Sequence, residues 1–211
     1  KQLVSLKEVA IDMPAGPSEV EVIADESANP AFIAADFLSQ AEHGVDSQAM
    51  LVTASESIVE PVMQAIREQL DRLPRKEITE KSLSHSRLIV LKDKQEVIDF
   101  TNLYAPEHLI IQTTDYADIA GQVENAGSVF MGPYTPESAG DYASGTNHTL
   151  PTNGYAKAYS GVNLDSFIKK ITFQEITADG IRLLGGTIRT MAANEQLDAH
   201  KNAVTIRLNT L

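Results

Sequence analysis

Short apolar runs and helical segments take turns along most of this chain, and that alternation limits its fold more than any other feature. EVEVIAD (19–25), AMLVTAS (49–55), SRLIVLKD (86–93), HLIIQT (108–113) and GSVFMG (127–132) read as strands. Between them NPAFIAADFLSQAEHG (29–44), SIVEPVMQAIREQLDRL (57–73), KQEVIDFTNLYA (94–105) and DYADIAGQVENA (115–126) read as helices. Asn29 suits an N-cap, Pro30 the first helical position and Gly44 the stop. Pro106 disfavours helical geometry at Ala105, so the third helix should end there. Several strands are continuously apolar, which implies burial on both faces. The pattern predicts an α/β fold, a doubly wound parallel sheet covered by helices on either side. With 211 residues the chain makes one large domain, or one plus a smaller piece.

The texture changes at 132. From there to about 163 the sequence is rich in Gly, Ser, Thr, Asn and Pro, and a loop of that length is either disordered or functional. ITFQEIT (171–177) reads as a short strand, 178 to about 196 as a helical tail, and a second short helix begins near Asp198.

Bulk chemistry excludes several partners. A formal charge of −12 argues against nucleic-acid backbones and anionic membranes. With no cysteine there are no disulfides, thiolate metal sites or Cys nucleophiles. No stretch is apolar enough to span a bilayer and no signal peptide is visible, so the expected compartment is cytoplasmic. The chain opens KQLVSL without Met, as a piece of a longer protein would.

Four of the five histidines sit beside an acid, an amide or a Gly-rich turn. Gln40 and His43, three apart, share one helical face; the plainer reading is a polar helix end with a dipole-favoured His. Glu107 and His108 form either a general acid/base pair or an exposed turn. Asp141 and His148, in GDYASGTNH, are chemically suited to zinc, or belong to a surface loop. Glu195 and His200, five apart, would not share a face of one straight helix and need a break between them to act together. His85 matches nothing and reads as a surface histidine.

IDMPAGPSEV, SQAEHGVDSQ, APEHLIIQT, ESAGDYASGTNHTLPTNGYA and DAHKNAVTIRLN, in this order from one end of the chain to the other, resemble histidinol dehydrogenase. That family oxidises L-histidinol to L-histidine in two steps, with two NAD⁺ and one zinc. The resemblance implies that Gln40, His43, Asp141 and His200 are zinc ligands. It implies that His108 is the catalytic base and that Glu107 activates water in the second step. Ser18, Gln40, His43, His108, Asp141, His148, Glu195 and His200 would contact substrate. It further implies a homodimer with shared active sites, the tail crossing to the other subunit. The fold would be an incomplete Rossmann-like doubly wound parallel sheet with a small helical C-terminal tail.

No Gly-rich dinucleotide fingerprint occurs in these residues, so the NAD contacts are expected in a preceding half. Residues 1–18 would be the trailing end of that half, 19–163 the α/β domain with the metal and substrate half-site, and 164–211 the swapped tail. Ser18, Gln40, His43, Glu107 and His108 all fall where helices end or strands begin, which predicts a site on that edge of the sheet, opposite the usual ligand crevice. A metal-dependent hydrolase and a non-catalytic, dimerising zinc-binding fragment are the rival readings.

Overall fold

The computed structural model describes residues 1–14 and 16–211; Ala15, inside the IDMPAGPSEV stretch, lies outside the described residues. The chain forms two compact units, Lys1–Ile168 and Lys169–Leu211.

In the first unit a short helix, α1 (Gln2–Ser5), precedes β1 (Glu19–Ala24), α2 (Pro30–Ala41), β2 (Gln48–Thr53), α3 (Val59–Leu70), α4 (Lys76–Leu83), β3 (Arg87–Val90), α5 (Lys94–Tyr104), β4 (His108–Gln112), α6 (Tyr116–Ala120), β5 (Ser128–Met131) and α7 (Glu137–Tyr142). The strands form one sheet in the order β3-β2-β1-β4-β5, and all four pairings are parallel. The chain winds outward from β1 to β3, then returns to the other side of β1, as the strand-and-helix alternation predicts.

The pleat sorts the core into two layers. Val20, Val22, Leu51 and Ile110 pack with Ile33 and Phe37 of α2 and Val62 of α3. On the opposite face Ile23, Val52, Leu109 and Ile111 pack with Val97 and Ile98 of α5 and Ile119 of α6. Each such side chain, fully buried, contributes about 1.5–3 kcal/mol of transfer free energy.

Glu21 breaks this pattern. It lies in the middle of β1 with no exposure at all, and burial pushes its carboxyl up to about 8. The Thr101 hydroxyl on α5 contacts both the Glu21 carboxyl and the Val97 carbonyl, the latter at 2.9 Å. A hydroxyl carries one proton. A protonated Glu21 that donates to Thr101, which then donates to Val97, accounts for both contacts.

Helix ends follow their sequence signals. The Asn29 side chain accepts from Ala31 N–H with Pro30 in the first turn, and Asp93 caps α5 by accepting from Glu96 N–H. Helix α5 does stop before Pro106, but Ala105 turns left-handed (φ 58°, ψ 65°) instead of extended. For a residue with a Cβ that conformation costs roughly 1 kcal/mol. It drops the chain from α5 straight into Glu107 and β4.

Five sequence expectations are corrected. Helix α2 ends at Ala41 with Glu42 as a right-handed C-cap, so Gly44 is not the stop and His43 lies just past the helix. Helix α4 was not expected, because it buries only Thr79 and Ser82 and therefore carries no apolar stripe. The helix expected over 115–126 is only Tyr116–Ala120; the Asn102 side chain accepts from Glu124 and Asn125 N–H and pulls the following backbone into a turn. The segment after 132 is not all loop, since it contains α7. ITFQEIT forms no strand: Ile171 and Phe173 are exposed, and among the described residues every strand is already paired in the one sheet.

The second unit is a helical pair, α8 (Ala178–Asn194) and α9 (Asp198–Leu208). Thr177 caps α8 by accepting from Gly180 N–H. Among the described residues no helix is long and apolar enough to cross a membrane.

Candidate active site and metal centre

The amino ends of β1 and β4 lie side by side, with Val20 opposite His108, and this register sets the site. The backbone of Glu19 holds both members of the acid/base pair. Its N–H donates to Glu107 Oε2 at 2.9 Å. Its carbonyl lies 3.0 Å from His108 Nδ1. A carbonyl accepts only, so Nδ1 carries the proton and Nε2 keeps its lone pair. His108 Nε2 is buried and has no hydrogen-bond partner among the described residues.

Glu107 and His108 are only 4% and 3% exposed, which rules out the exposed-turn reading. Burial pushes the Glu107 carboxyl up to about 8, against the hydrogen bonds from Glu19 N–H and the Ser18 hydroxyl. Burial also holds His108 below its ordinary value. The pair, 3.6 Å apart, is therefore poised as a neutral imidazole and a carboxyl of raised basicity. The neutral imidazole suits proton abstraction near neutral pH, and the carboxyl, raised to about 8, exchanges its proton just above it.

Gly127 fixes the backbone under this pair. A Cβ there would lie 2.5 Å from the Glu107 carbonyl, a group already engaged by Ser128 N–H at 2.9 Å. Gly127→Ala should therefore destabilise the chain by about 1–3 kcal/mol. The check is urea denaturation of variant and parent; an unchanged midpoint would contradict the contact.

A second cluster lies beside the first. His43, Glu137 and Asp141 bring one ligand atom each within 4.8 Å of one another. Glu137 and Asp141 sit one turn apart on α7, and α7 lies against Phe130 because Gly140 has no side chain: a Cβ would meet the ring at 2.6 Å. The Phe130 ring in turn contacts the His108 ring, centroids 6.1 Å apart. Gln40, wholly buried, leaves both amide atoms without a protein partner. An orphaned buried amide is costly unless something outside the chain binds it. His43, Glu137 and Asp141, with the unpartnered Gln40 amide in the last turn of α2, thus offer imidazole, carboxylate and amide donors, a set that fits a borderline cation such as zinc.

The structure brings Ser18, Glu107 and His108 into one hydrogen-bonded group, with His43 and Asp141 close enough to influence His108 electrostatically. His148 is exposed on the segment after α7 and also disfavours positive charge on His108. Glu195 is the C-cap of α8 and His200 lies in the first turn of α9, both in the second unit. The break between those helices is real: Gln196 is left-handed at φ 60°. His85 is exposed.

Sequence reasoning missed Glu137, Glu19 and Asp36. Glu137 is 2% exposed and burial pushes it up to about 8. Asp36, on α2, is raised to about 7 by burial and accepts from Gln112 Nε2 at 2.8 Å. The available signal was the four-residue spacing of Glu137 and Asp141, hidden by reading the segment as loop.

At the opposite edge, a cavity of about 220 Å³ opens where β1 and β4 end. A doubly wound sheet commonly holds nucleotide phosphate at such a switch point. Here the Asp25 carboxylate already accepts from Ser27 N–H at 2.9 Å and Thr114 N–H at 3.0 Å, so an internal anion occupies the donors a phosphate would use.

The histidinol dehydrogenase family model matches residues 1–208. A histidinol dehydrogenase of Bacteroides thetaiotaomicron is 70% identical over 211 residues, which is 100% of this chain and 49% of that protein. The chloroplastic histidinol dehydrogenase of Arabidopsis thaliana is 59% identical over 204 residues, covering 96% of this chain and 44% of its own length. The crystal structure of histidinol dehydrogenase from Elizabethkingia anophelis superposes with a TM-score of 0.95 at 57% identity, over 100% of this chain and 48% of that one. The chain spans about half the length of the curated relatives it matches, and along that span it belongs to the histidinol dehydrogenase family.

Proposed function

We propose that this chain supplies the metal, substrate and proton-transfer half of a histidinol dehydrogenase, which oxidises L-histidinol through the aldehyde to L-histidine with NAD⁺. The observation that carries the reading is the convergence at one sheet edge of a buried base with a free Nε2 (His108), a raised carboxyl (Glu107) and the cluster of His43, Glu137 and Asp141, with the unpartnered Gln40 amide in the last turn of α2.

Zinc, when bound, supplies a Lewis-acid hold on the substrate's imidazole and amine. Gln40, His43 and Asp141 would hold it, with His200 as the fourth ligand. In the first oxidation His108 Nε2 takes the hydroxyl proton as hydride leaves the carbon. In the second, Glu107 takes a proton from the water that adds to the aldehyde, and the hydrate is then oxidised. A carboxyl raised to about 8 is a stronger base than an exposed one. Ser18, His148 and Glu195 are the remaining proposed substrate contacts. No residue of this chain is assigned to the dinucleotide: in the crevice of the expected kind Asp25 already holds the Ser27 and Thr114 N–H donors.

The proposal includes a homodimer in which residues 164–211 cross to the partner copy, bringing Glu195 and His200 to its site. Exposed Leu183, Leu184, Met191 and Ile206 on the helical pair support it. Residues 1–18 are taken as the end of the preceding domain and 19–163 as the Rossmann-like domain. Cytoplasmic residence rests on the cysteine-free composition.

Assaying the full-length protein with L-histidinol and NAD⁺ tests the reading. It predicts two NADH per histidine formed and loss of turnover on chelation, restored by zinc. Hydrolytic turnover without NAD⁺ would support the rival hydrolase instead. His43→Ala should weaken zinc binding by at least about 10-fold, measured by chelator competition; unaltered affinity would remove His43 from the metal set.

A further inference from the structure

Within the proposed metal site one buried carboxylate has no assigned task. Glu137 is 2% exposed, deeper than the half-buried Asp141 and the exposed His43. Its Oε1 lies 3.9 Å from His108 Nδ1, but the Nδ1 proton is committed to the Glu19 carbonyl at 3.0 Å. Its Oε2 is buried and without a partner. A ligand atom of His43 and one of Asp141 lie within 4.8 Å of a Glu137 carboxylate oxygen.

A histidine that ligates a metal through one ring nitrogen almost always donates the other N–H to a carboxylate, a carbonyl or water, which fixes ring orientation and raises ligand basicity. We propose that Glu137 is that acceptor: a positioning residue behind the metal shell whose carboxylate takes the second N–H of His43 and so sets the imidazole toward the ion. This deepens the metal reading above and rests on it.

Direct ligation is the alternative that the test below separates: Glu137 and Gln40 are both buried, whereas Asp141 is half-buried and His43 exposed. The same α7 turn carries ligand and supporting acid: Asp141 faces the ion and Glu137, four residues earlier, steadies His43 from below. Helix α7 is itself seated by Gly140 on the Phe130 ring that touches His108. One short helix thereby ties the metal ligands to the catalytic base.

The test uses the 211-residue chain and its Glu137→Gln variant, titrated with zinc in competition with a chelator and with cobalt(II) by visible absorption. Glutamine keeps the shape and an acceptor oxygen but removes the charge. The expected result is a 10- to 100-fold loss of zinc affinity, with cobalt band positions retained because no ligand is lost. Without metal the variant should melt with the parent, since glutamine keeps the shape and an acceptor oxygen. A variant that binds zinc within twofold of the parent overturns the role. So does a large shift of the cobalt bands, which would make Glu137 a ligand, and so does a metal-free variant that melts lower and loses affinity only in proportion. A parent chain that takes up no metal overturns the metal-centre reading and this inference together; a parent that binds beside a variant that binds equally overturns this inference alone.

Discussion

Replacing His108 with Asn in the full-length enzyme should lower turnover by about 10³-fold while zinc stays bound, because a positioned general base contributes typically 10²–10⁴-fold. Asparagine preserves a donor toward the Glu19 carbonyl, which now fixes the Nδ1 proton at 3.0 Å, but offers no basic lone pair where Nε2 lies. Glu107 does not take over, since it meets the ring from the Nδ1 side, 3.6 Å away, and not where Nε2 lies. Metal analysis and steady-state turnover on the same preparation separate the possibilities. Retained zinc with lost turnover supports proton transfer; retained turnover would remove His108 from the mechanism.

Glu21→Gln should leave the melting temperature of the metal-free chain near the parent's at pH 5 and raise it by about 10 °C at pH 9. The Glu21 carboxyl rises from 4.5 in the open chain to about 8 in the fold, so folding favours its protonated form. Its contribution is fully present below pH 4.5, falls as pH rises toward 8, and is lost above that. The loss is on the order of 5 kcal/mol at most, which for a chain of this size corresponds to roughly 10 °C or more. Glutamine is neutral throughout and its amide donates to Thr101 as the protonated acid does. Glu107, Glu137 and Asp36 are raised in the same direction, so the variant should flatten the parent's decline and not abolish it. Parallel melting curves for variant and parent across this range would show that Glu21 is not a buried acid.

The fold was legible where burial writes a pattern. Strands such as LIIQ and VEVIA carry apolar side chains on both faces, Glu21 apart, because helices cover both faces, and Asn29 with Pro30 announces a helix start in backbone terms alone. Helix α4 left no trace, since a helix lying at the rim with Thr79 and Ser82 inward needs no apolar stripe. ITFQEIT carries strand composition without a strand, since propensity cannot supply a neighbour to pair with.

At the site, candidate residues were legible by chemical type and their relations were not. The adjacency of Glu107 and His108 is visible in the sequence. That one peptide unit, Glu19, clamps both is a consequence of the β1–β4 register, which strand order alone decides. The placement of Ser18, Gln40, His43, Glu107 and His108 along one sheet edge follows from reading where helices stop and strands start. Glu137 escaped because its signal, one helical turn before Asp141, exists only once the glycine-rich segment is known to be helical.

The central claim is that Gln40, His43 and Asp141 surround a single cation beside His108. A crystal structure of the zinc-loaded dimer with histidinol, with anomalous data collected at the zinc edge, tests it most directly. One peak is expected about 2.0–2.2 Å from a nitrogen of His43 and from oxygens of Gln40 and Asp141, with His108 Nε2 facing the substrate hydroxyl. A zinc peak elsewhere, with the Gln40 amide bonded only within the protein, would contradict it.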